Sequence, residues 1–144
     1  MATAWIAPDA KYATTELVAF RRRLLLVAAI LVFYDVWLVL PYGTDATGFG
    51  LPGYVTLGLG TLVAVGVFWL RDRATLWAAI LLLAGHAALQ PFVALQHGIT
   101  ASLLRLAFLP LFGGMLLGRW GGLAVAGLAL GEALILQRPM GVPV

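Results

Sequence analysis

Apolar residues run along this chain in long blocks separated by short polar breaks. The first block covers 24–40, where sixteen of seventeen residues are uncharged and Asp35 is the exception. Further blocks cover about 54–70, 74–89, 102–117 and 123–137. A helix rising about 1.5 Å per residue needs about 20 residues to cross a hydrocarbon core of about 30 Å. The pattern therefore predicts membrane-spanning helices rather than the cores of a water-soluble fold.

The breaks carry their own signals. Pro41 to Gly50 is dense in Gly, Pro, Thr and Asp, and Arg71-Asp72-Arg73 is a tight charged turn. Gln90-Pro91 is the expected end of the third span, because proline disfavours helical geometry in the residue before it. Residues 92–100 then read as a frayed helix end or a short interfacial segment. From Ala101 to Gln137 the chain runs on with little interruption. One straight helix of that length would measure about 55 Å, far beyond the bilayer core. A break is needed, and Gly118-Arg119-Trp120-Gly121-Gly122 is where it is expected; Pro110 should kink the span before it. The expected architecture is all-α: one transmembrane domain, 1–144, built as a polytopic bundle of about five helices. Four spans plus a re-entrant segment is the alternative. Residues 1–20 read as an interfacial arm, with turn-like Pro8-Asp9-Ala10-Lys11 and capping groups at Thr14, Thr15 and Glu16. Trp5 and Tyr12 would suit either an interface or a partner. No cleavable signal peptide is expected, since Arg21-Arg22-Arg23 leads directly into a block of full span length.

Charge sets the orientation. With the N-terminus in the cytoplasm, Lys11, Arg21, Arg22, Arg23, Arg71, Arg73 and Arg119 all fall inside. Arg138 alone falls outside, and Arg105 lies within a span; this is the asymmetry of the positive-inside rule. Trp69, Trp77 and Trp120 then form an inner aromatic belt, with Tyr42 and Tyr54 at the outer interface.

Composition agrees. The chain of 144 residues is 62% hydrophobic and 10% charged, with mean hydropathy +1.01, against about 25% charged residues in globular domains. The net charge of +3 and pI near 9.8 do not point to nucleic acid, because the basic residues flank apolar runs instead of forming a polar face. The absence of cysteine excludes disulfides, thiolate metal sites and cysteine chemistry. No Walker, GxSxG, HExxH or dinucleotide motif is present, and no signature residues assign the chain to a family. The expected setting is a cell membrane, of the bacterial or archaeal cytoplasmic kind.

Candidate chemistry comes from depth. Asp35 lies roughly 17 Å above the inner end of its span, His86 about 18 Å and Glu132 about 15 Å, while Arg105 enters about 5 Å from the outer side. Ionisable groups are expensive in hydrocarbon and commonly mark function. Four spans thus supply one polar layer. As a functional site it would bind an ion or ligand or relay protons. As a purely structural cluster it would lock helix register, for example through Arg105 with Glu132 and Asp35 with His86; Arg105 and His86 are the groups best suited to neutralise Asp35. His86 and His97 invite a haem reading, but on one helix they would stand about 16 Å apart. Haem or quinone would need a further ligand at a subunit interface.

Glycines four apart, at Gly114, Gly118 and Gly122 and again at Gly127 and Gly131, suggest close helix packing. They would serve contacts within the chain or with other membrane subunits, including further copies of itself. The leading expectation is a non-catalytic accessory or scaffolding subunit of a larger membrane complex, an energy-transducing one among the candidates. A small transporter or membrane enzyme using the polar layer is the alternative.

Overall fold

Long runs of leucine, alanine and valine with few strong breakers become long helices. The computed structural model describes residues 8–39 and 50–138, with side chains from residue 15 onward. Helix α1 spans Pro8–Tyr34 and passes into a π-helical turn, Asp35–Val39; α2 spans Gly50–Leu70, α3 Thr75–His97 and α4 Ile99–Gln137. There is no strand among the described residues. Helices α2, α3 and α4 are each long and apolar enough to cross a membrane, so the chain is membrane-embedded. In α1 the run Arg21-Arg22-Arg23 interrupts the apolar sequence, and the helix continues through it.

Two expected boundaries shift. Pro8 to Lys11 is helical instead of turn-like; proline suits a first helical position, where its missing N–H would have had no partner. Thr14, Thr15 and Glu16 are consequently inside α1 rather than capping it. Trp5 and the loop residues 40–49, Tyr42 included, lie outside the described residues, as does the side chain of Tyr12.

The second shift is at Pro91. Helix α3 does not end at Gln90 but runs through Pro91 to His97. Pro91 leaves the Ala87 carbonyl without its backbone donor, a loss that membrane helices tolerate, and side chains next to it hold the helix to its neighbour. Gln90, fully buried, donates from Nε2 to the His86 carbonyl at 2.9 Å. Ser102, equally buried, approaches the Gln90 carbonyl at 3.1 Å and its Oε1 at 3.4 Å. This node ties α3 to α4 across the single-residue joint at Gly98. Gln90→Leu is expected to lower stability by about 1 kcal/mol, as read by detergent-induced unfolding in micelles.

The break in α4 occurs where expected. Gly118 has φ 79°, ψ −177°, and divides the 39 residues into limbs 99–117 and 119–137, each roughly 28 Å long. The limbs fold back on each other. Leu106 and Leu109 of the first share an apolar cluster with Val125 and Ala129 of the second and Leu83 of α3. At the closest approach, a Cβ on Gly122 would lie 2.9 Å from the Gly114 Cα.

Helix α3 is central, packed against both α2 and α4, while α1 packs on α2 and α3. The main core joins Leu25, Ala29 and Val36 to Val63, Val67, Ala78 and Leu82. One end of the bundle is basic. Arg22 Nε reaches the Thr75 hydroxyl at 3.5 Å, Arg73 lies 4.3 Å over the Trp69 ring, and Arg119 lies 4.9 Å over Trp120. The cationic heads and aromatic faces that the sequence pattern placed at one interface thus stack on each other.

Candidate functional site

The site starts from the widened turn that ends the first helix. Asp35 is the first residue of the π-helical turn, a geometry that α-helices adopt rarely and frequently at functional sites. Two contacts hold the turn to α2. Val36 is buried in the notch above Gly60, where an added Cβ would collide with Val36 Cγ2. Next to it, Trp37 Nε1 donates to the Thr61 hydroxyl at 2.9 Å, and Thr61 in turn donates to the Leu57 carbonyl at 2.6 Å.

So anchored, Asp35 meets Arg105 from the first limb of α4. Nη2 donates to Oδ1 at 2.9 Å and Nε to Oδ2 at 3.3 Å, a side-on, two-pronged ion pair. Nη1 also reaches the Ala101 carbonyl at 3.4 Å. Both side chains are mostly buried, 22% exposed for Arg105 and 30% for Asp35. Of the five guanidinium N–H groups, two engage Asp35 and one engages Ala101, which leaves two.

The pair spans a gap instead of a helix contact. Between α1 and the first limb of α4 lies a cavity of about 300 Å³, backed by α3. Its α1 wall is Ala28, Leu31 and Val32, and its back wall is Leu82 and Leu83. Phe108, Leu109 and Phe112 form the third side. Asp35, His86 and Arg105 all line it. Their positions along the helices put all three at one end. Residues 28 to 35 climb α1 and 82 to 86 climb α3, whereas 105 to 112 descend α4 over about 10 Å. The cavity therefore has a polar head and an apolar body.

Of the four residues in the expected polar layer, the structure brings three together. The ion pair is Asp35 with Arg105, not Arg105 with Glu132 or Asp35 with His86. The His86 side chain makes no hydrogen bond or ion pair to a described residue, which leaves both ring nitrogens available to the cavity. Glu132 sits on the second limb, does not line the cavity, and has no hydrogen bond or ion pair among the described residues. His97 is on the same continuous helix as His86, about 16 Å further along it. No three His, Cys, Asp or Glu side chains are grouped as metal ligands among the described residues.

The glycines divide by role. Gly122 is at the closest limb-to-limb approach and meets the backbone of Gly114, whereas Gly118 makes the kink. Around Gly127 and Gly131 an added Cβ would meet nothing within 4 Å. Sequence reasoning did not find the cavity itself, the Trp37–Thr61 bond or the Gln90–Ser102 node. The last two had a signal: isolated hydrogen-bonding side chains inside apolar runs.

Comparison of the chain with protein-family models, curated proteins and solved structures gave no significant match. The fold defines it as a membrane-embedded helical protein with a cavity of mixed polar and apolar lining among its helices.

Proposed function

We propose that the protein crosses the cytoplasmic membrane five times with its N-terminus inside, and that it acts at the α1–α3–α4 cavity. There it takes an ion, proton or ligand at Asp35, His86 and Arg105, as a small transporter or membrane enzyme would. The observation that carries this reading is the setting of the ion pair. A pair serving only to lock helices would join packed surfaces, whereas Asp35–Arg105 bridges an open cavity and leaves guanidinium donors and an imidazole facing it. The double variant Asp35→Asn/Arg105→Gln, which removes both charges together, is expected to keep folded yield while losing the small molecule retained through purification, as measured by native mass spectrometry. Loss of yield alone would make the pair structural.

The absence of cysteine permits a direct test of the five crossings. Single cysteines at Thr100 and Arg138 should react with a membrane-impermeant thiol reagent on intact cells, and one at Asp72 should react only after lysis. Labelling of Asp72→Cys on intact cells would reverse the orientation.

A second reading has its own support. Gly127 and Gly131, one turn apart, face open space, and Glu132 beside them lacks a partner among the described residues. Small residues at this spacing allow close approach of another helix, which suits an accessory subunit of a membrane complex. Co-migration with other polypeptides in mild detergent would favour it; a stable lone monomer would count against it.

A further inference from the structure

We infer that the cavity binds a neutral, single-chain amphiphile from the bilayer, with a hydroxyl or carbonyl head against Arg105 and His86 and its chain among Ala28, Leu82 and Phe112. This rests on the proposed intramembrane site and adds the ligand class. Charge decides the head. Asp35 and Arg105 cancel formally, so a neutral head leaves the site balanced. A carboxylate or phosphate would have to draw Arg105 away from Asp35 and strand a carboxylate at the edge of an apolar cavity. An ammonium would strand the guanidinium in the same way, and uncompensated charges in such settings are strongly unfavourable. A neutral oxygen needs no such exchange. It can accept from the two unengaged guanidinium N–H groups, and a hydroxyl can also donate to the ring nitrogen of His86 that carries no proton.

Volume and access decide the body. About 300 Å³ is at the small end of ligand pockets, which run to about 1,000 Å³, and suits a head with the first stretch of one chain. The way in is lateral. Leu31 and Phe108 stand on the two facing helices and are 53% and 59% exposed, at a depth where the surroundings are lipid. A longer tail leaves between them into the bilayer.

The test uses the full chain in nanodiscs with three photoactivatable C16 probes of equal length: an alcohol, a carboxylate and a primary amine. The alcohol is expected to label the wild type saturably, about tenfold over either charged probe (about 1.4 kcal/mol). The label should map to peptides containing 28–35 or 105–112. Ala28→Phe, which fills the body, and Leu31→Trp, which narrows the mouth, should each reduce labelling severalfold. Asp35→Asn should turn the preference toward the carboxylate, and Arg105→Gln toward the amine. A wild type that prefers the carboxylate or the amine overturns the neutral head but leaves an intramembrane ligand site standing. Labelling unaffected by both Ala28→Phe and Leu31→Trp places the ligand elsewhere and overturns the inference. If monodisperse, folded wild type takes no probe saturably, both the inference and the ligand-site reading fall.

Discussion

An Arg105→Ala chain is expected to unfold about 3 kcal/mol more readily than the parent. Removing one member of a mostly buried pair leaves the other charge without compensation, and such losses run to about 3–5 kcal/mol when the pair is fully dry. The lower end applies because the Asp35 side chain keeps 30% exposure. Asp35→Ala/Arg105→Ala, which removes both charges, should recover part of that loss, so the double-mutant cycle should show favourable coupling. Arg105→Lys should fall between, since an ammonium cannot reproduce the two-pronged contact of Nε and Nη2 with the two carboxylate oxygens. Unfolding curves in dodecylmaltoside micelles against added SDS would measure all three, together with the Asp35→Ala single variant that completes the cycle. A double-variant loss equal to the sum of the Asp35→Ala and Arg105→Ala losses would mean that the pair contributes nothing as a pair.

The second large effect is at the sharp reversal in α4. Gly118, at φ 79° and ψ −177°, occupies backbone space that is essentially open to glycine alone, where a side chain costs about 1–3 kcal/mol. Gly118→Ala should therefore destabilise by about that amount. Four residues on, Gly122→Val should cost a further 1–3 kcal/mol, roughly the usual cost of overpacking. Its Cβ would press on the Gly114 backbone, which cannot turn aside as a side chain could. Gly127→Ala is the internal control. With open space around the new methyl group and better helix propensity, it should be neutral or stabilising by about 0.5 kcal/mol. The same unfolding assay separates the three, and a destabilising Gly127→Ala would indicate that a neighbouring chain occupies that space.

Much of this was legible in the sequence, for a physical reason. Hydropathy reports depth, and depth sufficed to place Asp35, His86 and Arg105 in one band before any helix was oriented. Length sufficed to require a break in 101–137, and glycine marked where. Hydropathy does not report rotation or neighbour order. Glu132 shares the band, yet it does not line the cavity, so depth alone could not separate it from the other three. Pro91 misled because local backbone preference was judged without the tertiary partners that offset it. Gln90 and Ser102 come from two helices, and their convergence is visible only once both are placed. The π-helical turn at Asp35 has no compositional signature at all; it exists because Val36 and Trp37 are held by Gly60 and Thr61.

The joints at Gly98 and Gly118 have a consequence for how the chain enters its membrane. Each passes from one helical segment to the next through a single glycine of positive φ, with no slack to pay out. Neither limb of α4 can turn over while its neighbour stays in place, and α3 is tethered to the first limb just as tightly. Under the proposed five-crossing topology, the segment from Thr75 to Gln137 takes its orientation as one unit. In that topology its direction across the bilayer is set once, at the arginine-bearing turn of residues 71–74, and every helix after that turn inherits the choice.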